Sequence, residues 1–153
     1  MRRAIVSGYK KIFTIEIQTY LFDMVKTNLI FKKHIDSGLL KTYNGSSINI
    51  LETILEQVDE PSTFWLDGHL HINSYGVEHD SPIIEELKII KNHKIKNHTI
   101  LIDDMRVIRD SSWGRGYLEQ EVIKLLTEIN PNYKITYCDG AVPNDVLIAK
   151  IYE

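Results

Sequence analysis

Residues 63–104, TFWLDGHLHINSYGVEHDSPIIEELKIIKNHKIKNHTILIDD, decide the fold. The stretch opens on TFWLD and closes on TILIDD, two short apolar runs that each end in aspartate, and between them lies a polar loop followed by an amphipathic segment starting at Ser81 and Pro82. Consecutive apolar residues without alternation mark strands covered on both faces. Proline at a first helical position with serine before it marks a helix start. The reading is therefore strand, loop, helix, strand, a right-handed βαβ unit with its strands inside a parallel sheet.

Working outward, further strands are expected at residues 11–16 (KIFTIE), 39–43, 133–137 and 146–152, with the two already named at 63–67 and 99–103. Helices are expected at 19–31, 47–57, 82–91 and 116–129, with Ser46 or Ser47 and Ser81 as N-caps. The last two strands are separated only by CDGAVPND, residues 138–145, too short for a crossover helix, so they should pair antiparallel. The expectation is an α/β fold: one Rossmann-like domain over residues 1–153, its mostly parallel sheet ending in an antiparallel C-terminal hairpin and its helices on both faces. Flavodoxin-like and hydrolase-like arrangements share this alternation.

Composition narrows the functions. With 43% hydrophobic and 25% charged residues, 8 Gly and 4 Pro, the chain has the make-up of an ordinary globular protein. A net charge of -3 and the lack of any Lys/Arg block longer than two give no nucleic-acid footprint. No apolar run approaches the ~20 residues of a membrane span. Cys138 is the single cysteine, which excludes an intrachain disulfide and makes a reducing, cytoplasmic setting the expectation.

Strand candidates end in Glu16, Asp67 and the pair Asp103 and Asp104. In an open parallel sheet, ligands bind outside the carboxyl ends of strands, so these carboxylates are the first site candidates; aspartate after a strand also serves as an ordinary cap or turn residue. His69 follows Asp67 by two residues, where an imidazole can act as a general base near neutral pH. His71, His79 and Asp80 share its loop, and Trp113 could stack on a ring. Arg106 is read as the ion-pair partner of the acidic pair, or as a contact to an anionic substrate. The DGHLH motif also permits an amidohydrolase reading with zinc, but those barrels need about 250 residues.

Residues 64–108, from FWLDGH through ILIDDMRVI, with KKIFTIEIQTYLFD before them and INPNYKITYCD after them, resemble the class I S-adenosylmethionine-dependent methyltransferases, in particular a bacterial and viral branch whose fourth and fifth strands read like FWLDGH and ILIDD. The resemblance implies S-adenosylmethionine as cofactor, with Glu16 accepting from its ribose hydroxyls and Asn44, Gly45 and Ser46 near its adenine. It implies cofactor or substrate contact at Asp67, and a divalent cation on Asp67, Asp103 and Asp104 that would lower the pKa of a substrate hydroxyl. His69 and Asp67 would be the catalytic pair in O-methylation of a small molecule or sugar. The family's first strand and glycine-rich loop should precede KIFTIE, where MRRAIVSGYK reads instead as the last turns of a helix. An N-terminally short form is thus implied, with a homo-oligomer that completes the sheet as one expectation. A degenerate, non-catalytic binding module and an enzyme that cleaves S-adenosylmethionine are the alternatives.

Overall fold

The computed structural model describes residues 1–68, 71–72, 78–79, 81–109 and 119–152. The chain forms two compact units, Met1–Ile54 and Leu55–Glu153.

In the first unit, helix α1 (Arg2–Val6) precedes strand β1 (Ile12–Glu16), helices α2 (Thr19–Thr27) and α3 (Leu29–Asp36), strand β2 (Leu40–Asn44) and helix α4 (Ser47–Leu55), which runs into the second unit. Strands β1 and β2 are parallel, in register from Ile12 against Leu40 to Glu16 against Asn44. The single helix expected at 19–31 is two helices. Asn28 leaves the helical region (φ -69°, ψ 120°) and its side chain accepts from the Ile30 amide at 2.9 Å. Asparagine's short amide competes well for backbone donors, so it caps a new helix more readily than it continues an old one. Ile12 and Leu40 are the buried strand residues of this unit.

The second unit carries strand β3 (Thr63–Leu66), the short strands β4 (His71–Ile72) and β5 (Glu78–His79), helix α5 (Ile83–Asn92), strand β6 (Thr99–Ile102), helices α6 (Met105–Arg109) and α7 (Glu119–Ile129), and strands β7 (Lys134–Cys138) and β8 (Val146–Lys150). Its four-stranded sheet has the order β3-β6-β8-β7. Strands β3 and β6 are parallel, and β8 runs antiparallel to both β6 and β7. The C-terminal hairpin therefore has the expected sense, and the architecture is α/β, with a mixed four-stranded sheet in this unit. Strands β4 and β5 pair antiparallel through two residues each.

The core of the second unit follows from the periods of its sequence. Ile83, Leu87 and Ile90 of α5 and Val122, Leu125, Leu126 and Ile129 of α7 recur every three or four residues and are buried, so each helix has one apolar stripe, and the two helices pack together. On the sheet, Ile100, Ile102, Leu147 and Ala149 are fully buried or nearly so. Strand β7 alternates exposed and half-buried residues, as an edge strand covered on one face does. Ser81 is not the cap of α5: Pro82 holds that position, and the Ser81 hydroxyl instead donates to the Gly68 carbonyl at 2.8 Å. Among the described residues, no helix is long and apolar enough to cross a membrane.

Candidate functional site

Glu16 closes β1, beside Asn44 at the end of its parallel neighbour. Its Oε1 accepts from the Gln18 amide at 2.8 Å, which turns the chain into α2. The Asn44 side chain donates to the Glu16 carbonyl at 2.8 Å and accepts from the Thr19 hydroxyl at 3.1 Å. Asn44 therefore staples the strand end to the start of α2. Gly45 follows at φ 143°, donating to the Glu16 carbonyl at 3.0 Å, and a Cβ there would stand 2.9 Å from the Ile50 Cδ1. Only glycine suits both the backbone angle and the approach. Ser46 stands just before α4, half-buried, its carbonyl accepting from Asn49 at 3.1 Å.

In the second unit, Leu66 and Ile102 are register partners, and the Asp103 amide donates to the Leu66 carbonyl at 3.0 Å. Asp67 and Asp103 thus leave two parallel strands side by side at their carboxyl ends. Asp104 has positive φ (54°), which an aspartate tolerates better than most residues because its side chain can bond locally. Its amide donates to Asp103 Oδ1 at 2.9 Å.

Among the described residues, the group of carboxylates whose oxygens lie within 4.8 Å of one another is Asp103, Asp104 and Asp145. Asp67 is not in that group, and Asp145 is in it although sequence reading placed it in an ordinary turn. Asp145 is fully buried. Its Oδ1 accepts from the Arg106 amide at 3.1 Å, and its Oδ2 accepts from the Ala141 amide at 3.2 Å and from Arg106 Nη1. Nη1 also donates to Asp104 Oδ1 at 2.5 Å. Burial pushes the Asp145 carboxyl up, but the amide and guanidinium of Arg106 outweigh it and hold it below the usual carboxylate range. The Arg106 guanidinium is correspondingly raised, chiefly by its bond to Asp104.

This geometry bears on the implied divalent cation. A hard cation wants several oxygens turned toward it, whereas here two of the three carboxylates are turned toward one guanidinium and the third toward an amide. The positive charge of the cluster is already present. The donor set does not fit a resident metal ion.

Of the expected site residues, Asp67, Asp103 and Asp104 come together at the carboxyl ends of β3 and β6, and Glu16 and Ser46 belong to the first unit. His69, Asp80 and Trp113 lie outside the described residues. Only the backbone pairing of His71 with His79 is described.

No protein-family model matches the chain, and no curated protein matches it. Among solved structures, the chain is similar to the N-methyltransferase NodS from Bradyrhizobium japonicum WM9, with 12% identity and a TM-score of 0.46 over 97% of this chain and 88% of that one.

Proposed function

We propose that the chain is a methyltransferase-type α/β protein that binds S-adenosylmethionine and methylates a hydroxyl on a small molecule or sugar. The observation that carries the reading is Glu16, a carboxylate at the carboxyl end of a parallel strand that, among the described residues, accepts a single hydrogen bond, through one of its oxygens. A carboxylate accepts through both oxygens, and two vicinal hydroxyls are the matching donors. When bound, the cofactor would supply the electrophilic methyl group. Asp67, beside Asp103 at the strand ends, is the residue proposed to orient the acceptor, and His69, two residues on, to take its proton. Ser46 is proposed near the adenine.

Calorimetric titration of the 153-residue protein with S-adenosylhomocysteine tests this. Micromolar binding, about -8 kcal/mol, is expected for the wild type. Glu16→Ala should weaken it by about tenfold to a hundredfold, the worth of a hydrogen bond to a charged group, with little change in thermal stability. Equal affinity in both proteins would remove Glu16 from the cofactor site. No binding by a folded wild type would favour the non-catalytic module.

A further inference from the structure

We propose that Arg106 is the built-in cation of the Asp103, Asp104 and Asp145 cluster, so that these carboxylates are charge-balanced by the chain itself and take up a divalent metal only when the positive charge at position 106 is removed. Three carboxylates with oxygens within 4.8 Å of one another would repel strongly if left alone. One of them, Asp145, is fully buried, where an uncompensated charge is costly.

The chain answers that cost with a single residue used twice. The Arg106 amide, in the first turn of α6, holds Asp145 Oδ1 at 3.1 Å, and its Nη1 joins Asp145 Oδ2 to Asp104 Oδ1. Side chain and main chain of one arginine therefore occupy both oxygens of the buried aspartate. The Ala141 amide adds a third bond to Asp145 from the hairpin loop, and the Asp145 carbonyl accepts from Met105 at 2.8 Å. The β7–β8 loop and the start of α6 are thereby fixed around one ion pair. A divalent ion placed among the same oxygens would face the guanidinium at contact distance, so the two cations exclude each other.

The inference is independent of the proposed methyl transfer, because its readout is metal binding. Wild type, Arg106→Lys and Arg106→Gln would each be titrated with Mn²⁺ by electron paramagnetic resonance of the free ion, and with Ca²⁺ by calorimetry. Wild type and Arg106→Lys should show no saturable binding at these carboxylates up to millimolar metal. Arg106→Gln should bind at least tenfold more tightly than wild type, and Asp104→Asn in that background should abolish the gain. Saturable binding by the wild type that Asp104→Asn removes would overturn the proposal, as would a folded Arg106→Gln variant that binds no metal. If Arg106→Gln unfolds for want of a counter-charge, millimolar Ca²⁺ should raise its melting temperature well beyond any effect on wild type; failure of that rescue also overturns the proposal.

Discussion

His93 and His98 meet edge to edge, their ring planes 24° apart and centroids 5.2 Å apart, and Nδ1 of His93 meets Nε2 of His98 at 3.0 Å. The neighbouring bonds fix which nitrogen carries each proton. The Ser62 amide donates to His98 Nδ1 at 3.0 Å, so that nitrogen is bare and His98 carries its proton on Nε2, which donates to His93. His93 then carries its proton on Nε2 and donates to the Val58 carbonyl at 3.2 Å. The whole chain of bonds closes only with both rings neutral. It ties residues 58–62 to the end of α5 and to the start of β6, and the Phe64 ring stands edge-on to His98 at 5.0 Å.

This relay predicts an acid-sensitive stability. Burial, then the neighbouring His93 and Lys96, lower the His98 pKa to about 4 against 6.5 in an open chain. Between those values the unfolded chain binds the extra proton, so stability is complete above pH 6.5 and is lost as pH falls toward 4. The loss is on the order of 3 kcal/mol at most. Urea unfolding from pH 7.5 to 4.5 should show it, and His98→Gln, although less stable at pH 7.5, should show a shallower slope. Parallel slopes would mean that other groups set the acid limb. Nitrogen-15 shifts of the two rings should report Nε2–H tautomers at neutral pH.

Gly68 predicts a steric requirement in the turn after Asp67. A Cβ there would stand 2.7 Å from the Pro82 Cγ, part of a ring that cannot swing aside, and 3.7 Å from Oε1 of the buried Glu86. Gly68→Ala should cost about 1–3 kcal/mol by forcing β3 and α5 apart. Ser81→Ala, which removes only the hydroxyl bond to the Gly68 carbonyl, should cost about 1 kcal/mol. Urea midpoints for the two variants would separate them, and a neutral Gly68→Ala would show that the close approach has slack.

What the sequence made legible divides along physical lines. All six strands expected were found, because a consecutive apolar run or a clean alternation is a property of the run itself. The break at Asn28 was missed because asparagine is tolerated inside a helix and the apolar period continues past it; only the cap geometry distinguishes the two cases. Helix α6 was missed because MRVIR is too short to display a period. In the candidate site, the strand-end acids Asp67, Asp103 and Asp104 were visible from their place after apolar runs. Asp145 was not, since an aspartate at the end of CDGAVPND reads as a turn former, and its burial depends on Arg106, 39 residues away. Contacts across that separation leave no local trace.

Leu126 predicts the weight of helix packing in the second unit. It is fully buried on the α7 stripe that faces α5, with Leu87 and Ile90 equally buried on the other helix. Leu126→Ala should cost about 2–5 kcal/mol, the transfer term plus the cavity left behind. Leu126→Met, nearly volume-conserving, should cost less than about 1.5 kcal/mol. Denaturant midpoints give both values, and equal losses would show that shape rather than volume controls this contact.

Arg109 and Glu119 predict a geometric, not merely electrostatic, clasp. Arg109 Nε and Nη2 reach the two Glu119 oxygens at 3.1 and 2.8 Å, a paired contact that joins the end of α6 to the start of α7. The Tyr137 hydroxyl donates to Glu119 Oε1 at 2.7 Å, the guanidinium lies 5.1 Å over the Tyr137 ring, and Arg109 Nη1 donates to the Asn144 carbonyl at 2.9 Å. The Arg109 bond holds the Glu119 carboxyl below its usual range, so the stabilisation is present above that range and fades as acid protonates it. Both side chains are about one-third exposed, which keeps the pair modest; a double-mutant cycle with Arg109→Ala and Glu119→Ala should give a coupling of about 1 kcal/mol. Arg109→Lys retains the charge but not the fork, and a lysine cannot bridge both oxygens while also donating to Asn144, so it should recover less than half of that coupling. Full recovery by lysine would mean that charge alone holds these helix ends together.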